Sequence, residues 1–274
     1  MSCVRKVQCA ESVYQEINRI RSKSTHFESN FYVGREGLEK WIQWDQLESF
    51  VTGDVFLLLR RNDYYKEVYY FADGNAALQT ALQKLTSFED RLNIDYVGKE
   101  NAKQEVFLKA GFCYKMSLNR FSKIQDEDGV DAPIPYGEYA SESDLQSIAS
   151  VLNLTMDKDV DQIPQQCEIL DYIHRKMAIV AKDDKTGNVA ALILWTRVGK
   201  RMEFNYWALH PDYKGTLYAL DLLNSFYIIN GAVKRSTLFV RDNNIVSERI
   251  HISTGYKRDG VVDYVYCYRK KESG

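Results

Sequence analysis

The sequence predicts an α/β protein of two domains, and three observations predict it. The chain has 274 residues, more than one typical core and enough for two. Residues 123–137, "KIQDEDGVDAPIPYG", gather an acidic cluster, two glycines and two of the chain's four prolines, a composition that continues neither a helix nor a central strand. On either side of it the apolar residues alternate between the two-residue period of strands and the 3.6-residue period of helices. The expected division is a first domain over 1–125, a linker over 126–135 and a second domain over 136–274.

In the first half, "DVFLLLRR" and "EVYYFAD" read as paired strands and "NAALQTALQKLTSF" as a helix. After the linker, "YGEYA" is a short strand. "SESDLQSIASVLN" is a helix capped by Ser141 or Ser143, with Leu145, Ile148, Ala149 and Leu152 at helical spacing. "IPQQCEILDYIHRK" is a second helix that tolerates Pro164 in its first turn. "MAIVAKD" and "VAALILWTRVG" are strands joined by "DKTGN", where Gly187 supplies a positive φ. "RMEFNYWALH" is a strand and "LYALDLLNSFYIING" a helix. "STLFV" is a strand, "NNIVSERIHISTG" a helix stopped by Gly255, and "VVDYVYCYR" the last strand. The order of the second half is β-α-α-β-β-β-α-β-α-β.

Composition limits what such a protein does. Apolar residues make up 45% and charged residues 27%, and a net charge of −2 offers no field to gather polyanions, so nucleic acid is not expected as a partner. No apolar run approaches the ~20 residues that span a bilayer, and "MSCVRKVQCAESVYQE" lacks the apolar centre of a secretion signal; a cytoplasmic protein with no membrane partner is expected. The five cysteines are scattered and never form C-x-x-C, and the four histidines lack metal-ligand spacing, so neither disulfides nor a metal site is expected.

The stretch "HPDYKGTLYALDLL", residues 210–223, carries the chemistry. It is a short turn with a cation and a glycine that leads into an apolar helix, whose first amides have no intrahelical partner and whose dipole favours an anion. It reads as a phosphate cradle or as a plain turn that starts a helix.

Leu209, Pro211, Tyr213, Lys214, Gly215, Leu217 and Ala219, followed by Leu222 and Leu223, resemble the first signature of the GNAT superfamily of CoA-dependent N-acyltransferases, V-x-P-x-Y-R-G-x-G-x-G/A. Leu238, Val240, Asn244, Ser247, His251, Gly255 and Tyr256 resemble its second, without a gap. The first half resembles the second signature at identical spacing: Ile94 falls on Leu238, Tyr96 on Val240, Glu100 on Asn244, Phe107 on His251, Gly111 on Gly255 and Phe112 on Tyr256. The resemblance implies two tandem GNAT-like domains, each a mixed, mostly antiparallel twisted sheet flanked by helices. The first would be degenerate, because "FADGNAALQ" has one glycine and no basic residue, and Phe107 has no proton to give.

The resemblance further implies an acetyl-CoA-dependent N-acetyltransferase that moves an acyl group to the primary amine of a small-molecule acceptor by direct attack. Acetyl-CoA would be the co-substrate, held by Leu209, Lys214, Gly215, Leu217, Ala219 and Asn244. Two departures stand out: Leu217 replaces the central glycine, and His251 replaces the tyrosine that often protonates the thiolate. His251 is then the candidate acid. Glu203 is the candidate base, on the expectation that alternation puts Glu203, Asn205, Trp207 and Leu209 on one side of their strand; a salt-bridged surface glutamate is the other reading. Asn244 binds the pantetheine arm or caps the helix after it. Tyr32, Trp41 and Trp44 line an acceptor cleft or belong to the core. A non-catalytic CoA-binding or scaffolding protein and a tandem-domain aminoacyl transferase are the alternatives. A monomer or a homodimer is expected, with the last strand exposed for pairing.

Overall fold

The fold starts from runs that the sequence marks clearly. In the computed structural model, which describes residues 3–125 and 129–270, the chain begins with β1 (Arg5–Lys6), α1 (Ala10–Lys23), β2 (Phe27–Ser29), α2 (Arg35–Gln43) and β3 (Leu47–Thr52). It continues with β4 (Val55–Arg61), β5 (Lys66–Asp73), α3 (Gly74–Leu85), β6 (Arg91–Gly98), α4 (Gln104–Lys109) and β7 (Cys113–Ile124). Then come β8 (Glu138–Tyr139), α5 (Leu145–Thr155), α6 (Gln166–His174), β9 (Ala178–Lys182), β10 (Val189–Val198) and β11 (Arg201–Leu209). The last elements are α7 (Tyr218–Ile229), β12 (Arg235–Arg241), α8 (Ile245–Ser253) and β13 (Lys257–Arg269). Every element expected from the sequence is present. The helix α1 lay in a stretch for which no element was expected.

Local chemistry explains several boundaries. Ser141 and Asp144 form the reciprocal capping box that starts the turn into α5. Gly187 and Gly255 take φ of 71° and 93°, the left-handed values that close the β9–β10 turn and stop α8. Pro164 sits before the first turn of α6, whose cap is Gln165.

The chain divides into two compact units, one formed by the residues up to Ser117 and those from Val261, the other by Leu118–Gly260. This differs from the division expected at 126–135. Residues 126–128 of that linker lie outside those described, and Ala132 already belongs to the second unit, its amide donating to the Ile228 carbonyl at 3.2 Å. The reason is an exchange of strands. The Leu118–Arg241 to Ile124–Arg235 register places the end of β7, from the first half of the chain, beside β12. Conversely, residues 262–269 of β13 pair antiparallel with β6. The last strand is therefore paired within the chain, which corrects the expectation that it is exposed.

The first unit has the strand order β1-β3-β4-β5-β6-β13. It is antiparallel except for β5 and β6, which run parallel only at Lys66–Leu92 and Glu67–Asn93. On one face Leu57, Tyr70, Leu82 and Phe107 form a core with α3 and α4; on the other Ile20, Leu38, Trp41 and Phe71 form a second with α1 and α2. Trp41 stacks on Tyr69 at 5.6 Å within that second core, Trp44 packs at its edge, and Tyr32 is exposed.

The second unit has the order β7-β12-β11-β10-β9-β8. Phe121, Trp195, Phe204, Leu238 and Tyr256 pack against Leu222 and Phe226 of α7, while α5 lies on β10 and β11. Its parallel pair, β11 with β12, holds only from Arg201–Arg235 to Phe204–Leu238. Beyond that point the two strands part, and the opening between them is the candidate site.

Candidate functional site

The split is produced by one extra residue. Trp195 on β10 lies opposite Phe204, but the next residue of β10, Leu194, lies opposite Tyr206, so Asn205 is a bulge with no counterpart. A bulge shifts side-chain alternation by one position. Met202 and Phe204 face the α7 core before it; Trp207 and Leu209 face the same core after it. The expectation that Glu203, Asn205, Trp207 and Leu209 share one side is therefore corrected, and Glu203 lies on the face away from Trp207 and Leu209.

A cavity of about 400 Å³ fills the opening, lined by residues 204–209 of β11, 238–241 of β12, and Asn244, Ser247 and His251 beyond it. Thr155, Met156, Asp161 and Gln162 close its far wall. That wall is tied down: Arg241 bonds the Asp161 carboxylate, and the Tyr206 hydroxyl donates to the Gln162 carbonyl. Burial raises the Asp161 carboxyl above the ordinary carboxylate value, and Arg241 opposes the rise. The Asn205 Oδ1 is buried at the cavity with no hydrogen-bond partner among the described residues, a polar atom waiting for a donor. Asp161, Arg241 and Tyr206 were not found from the sequence, because no motif marks a wall assembled from three separate segments.

At the end of β11 the chain enters the phosphate-loop candidate. Gly215 has φ of 88°, and a Cβ there would meet nothing within 4 Å, so the glycine serves the turn's backbone conformation and not close packing. Leu217 takes an ordinary φ of −90° as the residue before α7, with its side chain 64% exposed. Among the described residues, the amides of Gly215, Leu217, Tyr218, Ala219 and Leu220 donate to no backbone or side-chain group, whereas Thr216 N bonds the Tyr213 carbonyl at 3.1 Å and Asp221 N the Leu217 carbonyl at 2.9 Å. Five free donors at one helix start have the geometry and dipole that suit an anion. Lys214 is exposed beside it. The Ala219 carbonyl accepts Trp207 Nε1 at 3.1 Å, which fixes the start of α7 to β11.

The remaining expected residues separate. Leu209 lines the cavity. Asn244 also lines it, and its Oδ1 caps α8 by accepting Ser247 N at 3.1 Å, so the capping alternative is realised at the cavity wall. His251 lines the cavity at 2% exposure, ringed by Phe204, Trp207 and Tyr256 at 5.6–5.7 Å. Burial pushes its pKa down to about 4. It is therefore neutral at physiological pH, able to donate one ring N–H as a hydrogen bond but holding no imidazolium proton to give. Glu203 lines no part of the cavity. Solvent reaches it, yet surrounding protein raises its carboxyl above the usual range, with the Arg120 guanidinium opposing.

The first unit offers a direct contrast. Glu67 stands opposite Asn93 as Glu203 stands opposite Thr237, and Asn93 and Thr237 each precede by one residue the matched Ile94 and Leu238. Its neighbour on β4 is the buried Arg60, however, where Glu203 has Thr196, and Glu67 is 2% exposed. Its parting strands are also filled. Ser29–Phe71 to Phe27–Asp73 pairing lays β2 along the end of β5. Asn30 Nδ2 donates to the carbonyls of Val68 at 3.0 Å and Asp95 at 2.9 Å. At the start of α3 the Gly74 amide is taken by the His26 carbonyl, and the Asp73 carboxylate, bonded by Ser24 Oγ at 2.7 Å, places negative charge where an anion would sit.

Among the described residues no group of His, Cys, Asp and Glu side chains is arranged to hold a metal ion, and no helix is long and apolar enough to cross a membrane. No protein-family model and no curated protein matches the chain. Solved structures match in fold. A tandem GNAT protein from the clavulanic acid biosynthesis pathway aligns over 100% of both chains, with TM-score 0.60 and 11% identity. A GCN5-related N-acetyltransferase from Sphaerobacter thermophilus aligns over 98% of this chain and 95% of its own, with TM-score 0.59 and 12% identity. A GNAT-family acetyltransferase from Colwellia psychrerythraea covers 98% of this chain and 100% of its own, with TM-score 0.54 and 12% identity. The chain has the tandem GNAT fold, two α/β units with mixed, mostly antiparallel sheets flanked by helices.

Proposed function

We propose that the chain is an acetyl-CoA-dependent N-acetyltransferase that acylates the primary amine of a small-molecule acceptor, using the second unit alone. The observation that carries this reading is the row of five unpartnered amides at residues 215–220, set directly after the strand edge that parts from β12. The residues fit the co-substrate. The amides and Lys214 suit a diphosphate, and the open edge of 205–209 with the orphaned Asn205 Oδ1 suits an amide-bearing arm. Leu217 turns its side chain to solvent and leaves its amide free, so its departure from the family pattern does not oppose binding.

Bound acetyl-CoA supplies the thioester carbonyl. Glu203, with its raised pKa, takes the proton of the acceptor ammonium through water. His251 offers a neutral ring N–H that can stabilise developing charge on sulfur, and the thiolate takes its proton from water. Asp161, Arg241 and Tyr206 keep the far wall of the cavity closed.

The test is thermal unfolding with and without excess acetyl-CoA, followed by thiol release across an amine panel. Ligand at about a hundred times its dissociation constant adds about 2.7 kcal/mol, a rise of a few degrees in Tm. A shift with turnover supports the enzyme. A shift without turnover favours a CoA-binding protein, and no shift removes both.

A further inference from the structure

The exchanged strand brings a residue of the first half of the chain to the face of the sheet that carries Glu203. On β7, β12 and β11 the register is continuous: Ser122 is opposite Thr237, and Thr237 is opposite Glu203. Opposed residues share a face, and so do residues two apart on one strand. Arg120 is two residues from Ser122, so its side chain lies on the Glu203 face, one strand beyond Thr237. The neighbouring Phe121 points the other way, fully buried in the core against α7. The guanidinium acts on Glu203 through space, opposing the rise in its carboxyl, and it is held by a clamp: Arg120 Nε donates to Asp259 Oδ2 at 2.9 Å, with the side chains 27% and 20% exposed.

We infer that Arg120, held by Asp259, is a positioning residue for the proposed transfer: it faces Glu203 across β12 and holds that carboxylate ready to take a proton. The inference rests on the reading of Glu203 as base. The other charges on this face are Arg201, two residues back on β11, and Arg235 on β12, both at the exposed margin of the sheet, and Arg241 farther along β12, which is bound to the Asp161 carboxylate. The helix packed over β11 on this side, α5, has no charged residue. Arg120, unlike Arg201 and Arg235, is placed inward of the margin, and it reaches the second unit only because β7 crosses from the first half. In the first unit the matching strand, β13, has Val265 at the corresponding place, two residues from Cys267, which stands opposite Asn93. There the cations that oppose the rise in the Glu67 carboxyl are Arg60 on β4 and Arg269, two residues from Cys267 on its other side.

The experiment compares the full-length protein with Arg120→Gln, Arg120→Lys and Asp259→Asn. The Glu203 side-chain carboxyl, assigned against Glu203→Gln, is titrated by carbon-13 NMR, and the pH profile of acetyl-CoA-dependent thiol release is measured with an accepted amine. Arg120→Gln is expected to move the Glu203 midpoint and the acid limb of the profile upward together, so that the rate falls more at pH 6 than at pH 9. Arg120→Lys restores most of both. Asp259→Asn, which keeps the cation and loosens its clamp, gives a smaller movement and guards against a fold defect in the arginine variant. An unmoved Glu203 midpoint in folded Arg120→Gln overturns the inference, as does a moved midpoint with an unmoved acid limb. If the parent protein turns over no amine, the proposed function fails, and the titration still decides whether Arg120 governs Glu203.

Discussion

Tyr70 donates its backbone amide to Asn30 Oδ1 at 2.7 Å, and through that bond the first unit closes the opening that the second leaves free. The same side-chain amide bonds a carbonyl on each of the two parting strands, Val68 on β5 and Asp95 on β6. Asn30 takes up the backbone groups that a bound ligand would need.

The first prediction follows from that plug. Asn30→Ala leaves three main-chain groups without their partner, and each buried unmet group costs about 1–3 kcal/mol. A loss of roughly 2–5 kcal/mol in chemical denaturation is expected, after allowance for water entering the gap. Calorimetric titration with acetyl-CoA should still give one site per chain, because β2 and Asp73 continue to occupy the rest of the slot. Two sites in the parent protein would contradict the assignment of binding to the second unit.

Gly215 gives the second. Its φ of 88° is unfavourable for any residue with a Cβ. Gly215→Val is expected to cost about 1–2 kcal/mol of stability and to abolish the acetyl-CoA thermal shift, since the loop must turn elsewhere and the amides no longer converge. Leu217→Ala, by contrast, should keep the shift, because the exposed side chain contributes nothing to the cradle.

Glu203→Gln tests the base. It retains the thermal shift while kcat falls about 100-fold or more, the scale of a lost general base. Equal losses in ligand binding and turnover would instead make Glu203 a structural residue. Glu67→Gln in the first unit should leave kcat unchanged, since that carboxyl is buried opposite Arg60.

His251 provides a pH-dependent prediction. The folded protein holds it neutral down to about pH 4, while the unfolded chain protonates it near 6.5. Between those values the unfolded state binds more protons, so this group's contribution to stability is complete above about 6.5 and is lost as pH falls toward 4. The difference in unfolding free energy between His251→Phe and the parent should therefore move in favour of the variant on acidification, by an amount on the order of 3 kcal/mol. A difference that stays constant over this range would mean that the imidazole is solvated. Thiol release should slow in the same variant if the ring N–H acts on sulfur, with the thermal shift intact.

What the sequence determined by itself was local. Gly187, Gly215 and Gly255 end or turn elements through their own backbone freedom, Ser141 and Asp144 cap by contacts three residues apart, and the apolar stripes of α3, α5 and α7 are visible without any partner. The run of unpartnered amides where the chain enters α7 was legible for the same reason, since its donors are near neighbours in the chain. The tertiary structure decided the rest. The bulge at Asn205 cannot be counted from β11 alone, because an extra residue is extra only against Leu194 and Trp195 on β10, and it reversed the side on which Trp207 and Leu209 lie. The crossing of β7 and β13, the filling of the first opening by Asn30 and the meeting of Asp161 with Arg241 join residues 38 to 178 positions apart. Such pairings are chosen by which buried edges and charges each segment can satisfy at once, a quantity that exists only when the whole chain has folded.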